Sequence, residues 1–212
     1  MGSGLPASDD PRSRSLRQAA ILASGLMLLR GDPVLQERIH ILMERTGASM
    51  AGVTVIDHDT CWLPICHSAS LESISVSESL CATVVSQNKL SLIADLTTDP
   101  VLGTHPAVVG PMNVRAYAGV PLKGILGSAI GSVFVADTKA RSDFDDRVIA
   151  LLHAEAEYIQ DEIKLERRRY RTRHTVVPPM MELIREAMRA GDDELVTMLD
   201  KILQSVDPAT GR

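Results

Sequence analysis

Residues 114–139 read VRAYAGVPLKGILGSAIGSVFVADTK, two runs rich in β-forming residues joined by a turn that glycines flank. Neither run alternates cleanly between apolar and polar positions. Along the second, Ile130, Ser132, Phe134 and Ala136 take one face, while Gly131, Val133 and Val135 take the other. A strand with one wet face keeps a two-residue polarity period, and a strand covered on both faces loses it. The hairpin is therefore expected to lie inside the protein, with helices on one side and other chain segments on the other.

Upstream, residues 95–114, DLTTDPVLGTHPAVVGPMNV, carry prolines and glycines and no sustained period. A connection of this length in a compact domain usually has a task, and here it is expected to cover the second face of the sheet. Before it, LSLIAD reads as a strand, and ESLCATVVSQ as a short helix begun by Ser77 and stopped by Asn88. AGVTVID and CWLPICH, separated by HDT, read as a further hairpin. At the N-terminal side, Leu16, Ala20, Ala23 and Met27 recur at helical spacing. Asp32 and Pro33 then open a second helix, whose stripe is Leu35, Ile39, Leu42 and Met43, ending at Gly47. After the central hairpin, Ser142 with Asp145 is expected to cap a long helix with the seam Val148, Leu152, Ala156, Ile159 and Ile163. The fold class is α+β: an antiparallel sheet of about six strands with helices on both faces. Residues 1–15 are expected to be a loose tail and 171–212 a linker and helical hairpin, too small to hold a core alone.

The run from SLCATVVSQNKL through NVRAYAGVPL, followed by GSAIGSVFVADTKARSDFDD, resembles a GAF domain over roughly residues 16–170. That resemblance implies a twisted antiparallel sheet between helices, a regulatory or sensory role, and a ligand held between the sheet and the cover formed by residues 77–115. It does not choose the ligand, because the family hosts cyclic nucleotides, bilins, haem, iron, 2-oxoacids or nothing. Asp137, Lys139, Phe144 and Asp145 depart from the pattern of the cyclic-nucleotide-binding members, which argues against that ligand. No cofactor is named by the sequence.

The polar groups expected around the cavity are Asp95, His105, Arg115 and Tyr117, with Cys81 on the short helix. Arg115 can grip a carboxylate or phosphate with two prongs, or pair with Asp95 to hold the cover shut; both readings stand at this level. Cys61 and Cys66 are expected on opposite faces of their strand, so a zinc site with His67 is not expected. The closing loop contains no cysteine, which argues against the free methionine sulfoxide reductase chemistry known on this fold and leads to the expectation that the protein is not an enzyme.

A net charge of −5 in 212 residues disfavours nucleic acid as a partner, even with the arginine run at 167–173. No stretch is apolar for long enough to span a membrane, and an odd number of cysteines, 3, points to reduced thiols in a cytoplasm. The function expected is a non-catalytic sensor that dimerises through the helices at Leu16–Leu29 and Val148–Ile163 and signals to a partner protein. The alternatives are a ligand-free dimeric scaffold acting through its C-terminal helices and, more remotely, a thiol-dependent reductase.

Overall fold

The computed structural model describes residues 11–67, 71–124, 127–169 and 177–206. Helices α1 (Pro11–Ser24) and α2 (Pro33–Thr46) precede strands β1 (Met50–Asp57), β2 (Thr60–His67) and β3 (Ser73–Ser75). Helix α3 (Cys81–Gln87), strand β4 (Ser91–Ile93) and the one-turn helix α4 (Pro106–Val109) lead to β5 (Ala116–Lys123) and β6 (Ala129–Asp137). Helices α5 (Asp146–Arg169), α6 (Val177–Ala190) and α7 (Asp193–Val206) follow. The six strands form one antiparallel sheet in the order β3-β2-β1-β6-β5-β4. Among the described residues, no helix is long and apolar enough to cross a membrane.

The hairpin at 114–139 is covered on both sides, and every residue of β6 is buried. Val133 and Val135 meet Leu35, Ile39, Leu152 and Ile159 in the main core, formed with α1, α2 and α5. Phe134 and Ala136 meet Leu80, Cys81, Leu96 and Val108 in a second cluster beneath the lid segment 96–115. Ile130 departs from the expected alternation. A register shift opposite Leu122 and Lys123 turns it to the helical face, where it joins Val133 in the main core.

Local chemistry sets the helix ends. Asp32 accepts from the amides of Val34 and Leu35 at 2.9 Å each, Pro33 fills the first helical position, and Gly47 ends α2 with φ of 62°. The cap of α5 lies later than the sequence suggests. Asp145, not Ser142, accepts the Arg147 amide at 2.9 Å, because Phe144 is drawn into the main core and keeps residues 142–144 out of the helix. Arg141 braces this junction: it bonds Asp137 and Asp143 at 2.7 Å and the carbonyl oxygens of Thr46 and Gly47 at 2.7 and 2.6 Å. One guanidinium thus joins the ends of α2 and β6 to the start of α5.

One boundary expectation changes. Helix α1 already begins at Pro11, inside the segment read as a tail, while residues 1–10 lie outside the described residues. The arginine run at 167–173 likewise falls outside the residues whose side chains are described. The C-terminal hairpin docks on α1, where Met180, Ile184, Leu199 and Ile202 close a third core with Ala19 and Ala23.

The proposed dimer seam requires a correction. Val148, Leu152, Ala156, Ile159 and Ile163 are all buried in the main core of the same chain, packed on the sheet. The inner residues of α1 are likewise taken, Ala20 and Ile21 by the main core and Ala19 and Ala23 by the C-terminal helices. A three-and-four spacing marks a helix face that must be covered, and here the sheet and the hairpin cover it.

Candidate ligand-binding site

Between the sheet and the lid lies a cavity of about 70 Å³. One enclosed water needs roughly 10–15 Å³ on this measure, so the space accommodates a group of several heavy atoms. Strands β1, β5 and β6 build the floor with Met50, Thr54, Tyr117, Phe134 and Ala136. Leu63, Cys66 and Ile74 close one side, and Leu80, Cys81, Ala107, Met112 and Val114 form the roof. Glu78 is the only charged residue on the lining among the described residues, and it is exposed.

Two glycines shape the floor. A Cβ on Gly52 would stand 2.8 Å from the Phe134 ring and from the Ile65 carbonyl oxygen, so its absence lets that ring lie flat over β1. A Cβ on Gly119 would collide with the Tyr117 hydroxyl. The Tyr117 ring therefore lies along β5, stacked on Phe134 with centroids 6.3 Å apart, and its hydroxyl donates to Cys81 Sγ at 3.3 Å. Complete burial pushes the phenol well above its ordinary pKa, so it stays protonated and donating.

Strand β2 contains an irregularity that the sequence reading missed. Val53 pairs with Ile65, yet Val55 pairs with Trp62, which places an extra residue in β2 at Leu63–Pro64. Proline cannot donate to the ladder and is at home in such a bulge. The consequence is that Cys61 and Cys66, expected on opposite faces, share the lid side of the sheet, Cys66 against the lid cluster and Cys61 against α3. Cys61 accepts from Ser79 Oγ at 3.2 Å, and burial first, with Cys81 nearby, pushes its thiol up to about 12. Among the described residues, no group of three or more histidine, cysteine or carboxylate side chains has metal-holding geometry.

The expected polar ring does not assemble. Of the five named residues, Tyr117 and Cys81 line the cavity, whereas Asp95, His105 and Arg115 do not. Arg115 donates to the carbonyl oxygens of Val108 and Val114 at 2.9 and 3.1 Å and to Asn113 Oδ1. It stitches the lid rather than gripping an anion, and its partners are lid oxygens rather than Asp95. Asp95 caps the turn at Leu96–Thr98, accepting from the Thr97 amide at 2.9 Å and its hydroxyl at 2.6 Å; these bonds hold its carboxyl below the usual range. His105 caps α4 from inside the lid: Nδ1 accepts the Ala107 amide at 3.1 Å. The lining residues that sequence reasoning overlooked are chiefly Met50, Thr54, Leu63 and Met112. The first two could have been found by continuing the two-residue period of β1 through Met50, Gly52, Thr54 and Ile56.

A sheet of this order, with helices behind and an irregular lid in front, defines an α+β module with a covered cavity. The chain belongs to the GAF domain family, whose model matches residues 30–162. It is 28% identical over 142 residues to a cyclic di-GMP phosphodiesterase of Pseudomonas aeruginosa, a match covering 67% of this chain and 24% of that relative. The chain thus spans about a quarter of the length of that curated relative. Among solved structures it resembles the free methionine-R-sulfoxide reductase of Neisseria meningitidis in complex with its substrate. There the TM-score is 0.52 at 18% identity, covering 71% of this chain and 93% of that one. It also resembles the GAF domain of a phosphoenolpyruvate-protein phosphotransferase from Coxiella burnetii, with a TM-score of 0.52, 17% identity, and 74% and 95% covered. These findings correct the expectation that the protein is not an enzyme. The curated relative is one, and so is a reductase sharing the fold, so the missing loop cysteine does not exclude enzymatic activity.

Proposed function

We propose that the chain is a regulatory sensor module whose ligand is a small, neutral, largely apolar molecule held beneath the lid. The observation that carries this reading is the lining: apart from exposed Glu78 it offers side chains such as Met50, Leu63, Met112 and Phe134, while Arg115 is turned to the lid's own carbonyl groups. Burying an anion there without a partner would cost more than its contacts return, whereas an apolar group gains about 25 cal/mol per Å² removed from water. Occupancy would reach the helices through β6. Phe134 and Ala136 face the cavity, Val133 and Val135 face the α5 seam, and Arg141 ties the end of β6 to the end of α2 and to Asp143 just before α5. A partner protein or an adjoining domain would read the helix positions, and the ligand would shift them by its differential affinity for the two closures.

Thermal-shift measurements with neutral apolar compounds and with anions of similar size test the reading. It expects stabilisation by the former and its loss in Ala136→Phe, which fills the cavity. Stabilisation by anions alone overturns it. A second reading, a thiol-dependent reductase, is favoured by the placing of all three cysteines on the lid side of the sheet. In that reaction two thiols close to a disulfide as a sulfoxide becomes a sulfide and water. Turnover of methionine sulfoxide with dithiothreitol, abolished in Cys81→Ala, would establish it; no turnover would dismiss it.

A further inference from the structure

His105 holds the lid in a way that only its neutral form can sustain. The ring is 4% exposed and caps α4, with Nδ1 accepting the Ala107 amide at 3.1 Å. Nδ1 is therefore unprotonated, and the ring proton resides on Nε2, which is buried without a hydrogen-bond partner among the described residues. The same short helix supplies Ala107 to the cavity roof and is tied to the rest of the lid by Val114 N–H to Ala107 O at 2.9 Å and by Arg115 to Val108 O.

We propose that His105 is an acid-sensitive latch: protonation breaks the α4 cap and opens the lid over the cavity. A proton on Nδ1 removes the acceptor for the Ala107 amide and sets a buried cation against the positive end of a helix. Among the described residues, no carboxylate bonds the ring to offset that charge. Asp95 is engaged by Thr97, Asp99 by the amides of Val101 and Leu102, Arg115 by lid carbonyl groups and Tyr117 by Cys81. Glu78, on the turn packed against α4, is exposed and does not bond the ring. Burial lowers the pKa of His105 from its ordinary 6.5. The sign follows: the latch is intact above that value and weakens as pH falls below it toward the lowered folded-state value, because the open form binds the extra proton more readily.

This inference rests on the cavity being a ligand site, but its test does not need a ligand. Amide hydrogen exchange of residues 107–115, corrected for intrinsic rates, is measured from about pH 7.5 to about pH 5 in the full chain. In the native protein, protection of these amides falls below pH 6.5, by up to about tenfold per pH unit, while the β6 amides remain unchanged. His105→Asn keeps a cap acceptor without a titrating ring and holds protection flat across the range. Flat protection in the native protein, or a parallel loss in His105→Asn, overturns the latch. Should that variant fold poorly, the NMR titration of the His105 ring in the native protein decides the matter: its midpoint must lie below 6.5, at the pH where the loss of lid protection levels off, and a midpoint at or above 6.5 overturns the proposal. If the lid responds to acid and no compound binds, the latch stands and the ligand reading alone fails.

Discussion

Arg115 illustrates how a side chain with the chemistry of a ligand clamp can serve the scaffold. Its guanidinium bonds the carbonyl oxygens of Val108 and Val114 and the amide oxygen of Asn113, whose backbone is left-handed with φ of 51°. Planar donors reach several lid oxygens at once, which a lysine ammonium does not reproduce. Arg115→Ala is therefore expected to destabilise the protein in urea by about 1–3 kcal/mol, with Arg115→Lys recovering little of it. Unchanged stability in Arg115→Ala, with loss of an anion-binding activity, would return the residue to the ligand. Cys61 offers a second test at this scale. Its thiol, pushed up to about 12 by burial, should resist iodoacetamide at neutral pH in the native protein, whereas half-buried Cys66 should react first. Mass spectrometry of the alkylated chain reads the order directly, and equal labelling of the two would contradict the buried placement of Cys61.

Among the elements, those governed by strong local chemistry were legible from sequence. Asp32–Pro33 and Gly47 bounded α2, Asn88 stopped α3, and the erased alternation of β6 foretold a sheet covered on both faces. What escaped was set by departures from period. The β2 bulge at Leu63–Pro64 reversed the facing of Cys66, and Phe144 was pulled inward, delaying the start of α5 to Asp146. The candidate site was the least legible part, since whether Arg115 turns inward depends on lid carbonyl groups that no spacing rule reveals. The α5 seam shows the same limit, because its period is equally compatible with packing on a sheet or on a second chain. Leu152 is fully buried in the main core, so Leu152→Ala should cost about 2–5 kcal/mol in denaturant unfolding without altering the association state. A change in sedimentation with little loss of stability would point back to a dimer seam.

For the molecule as a whole, the described residues form four apolar clusters joined through the sheet and α1: the main core behind the sheet, the lid cluster and a smaller one around Cys61 in front, and the C-terminal cluster beyond α1. Helix α1 is shared, with Ala20 and Ile21 turned to the main core and Ala19 and Ala23 to α6 and α7. Removing residues 177–206 would uncover that second side of α1, and the shortened chain is expected to self-associate in sedimentation, with its sheet intact by circular dichroism. A monomeric, fully stable product would show that the hairpin contributes nothing to the covering of α1. The central claim concerns the space under the lid, and nine methionines furnish reporters for it, two of them, Met50 and Met112, on its lining. The most direct measurement is a methionine-methyl NMR titration of the full chain with toluene and, separately, with inorganic phosphate. The account predicts saturable shifts of the Met50 and Met112 methyl groups with toluene and none with phosphate; saturable shifts of those two methyls with phosphate, or silence with toluene, would contradict it.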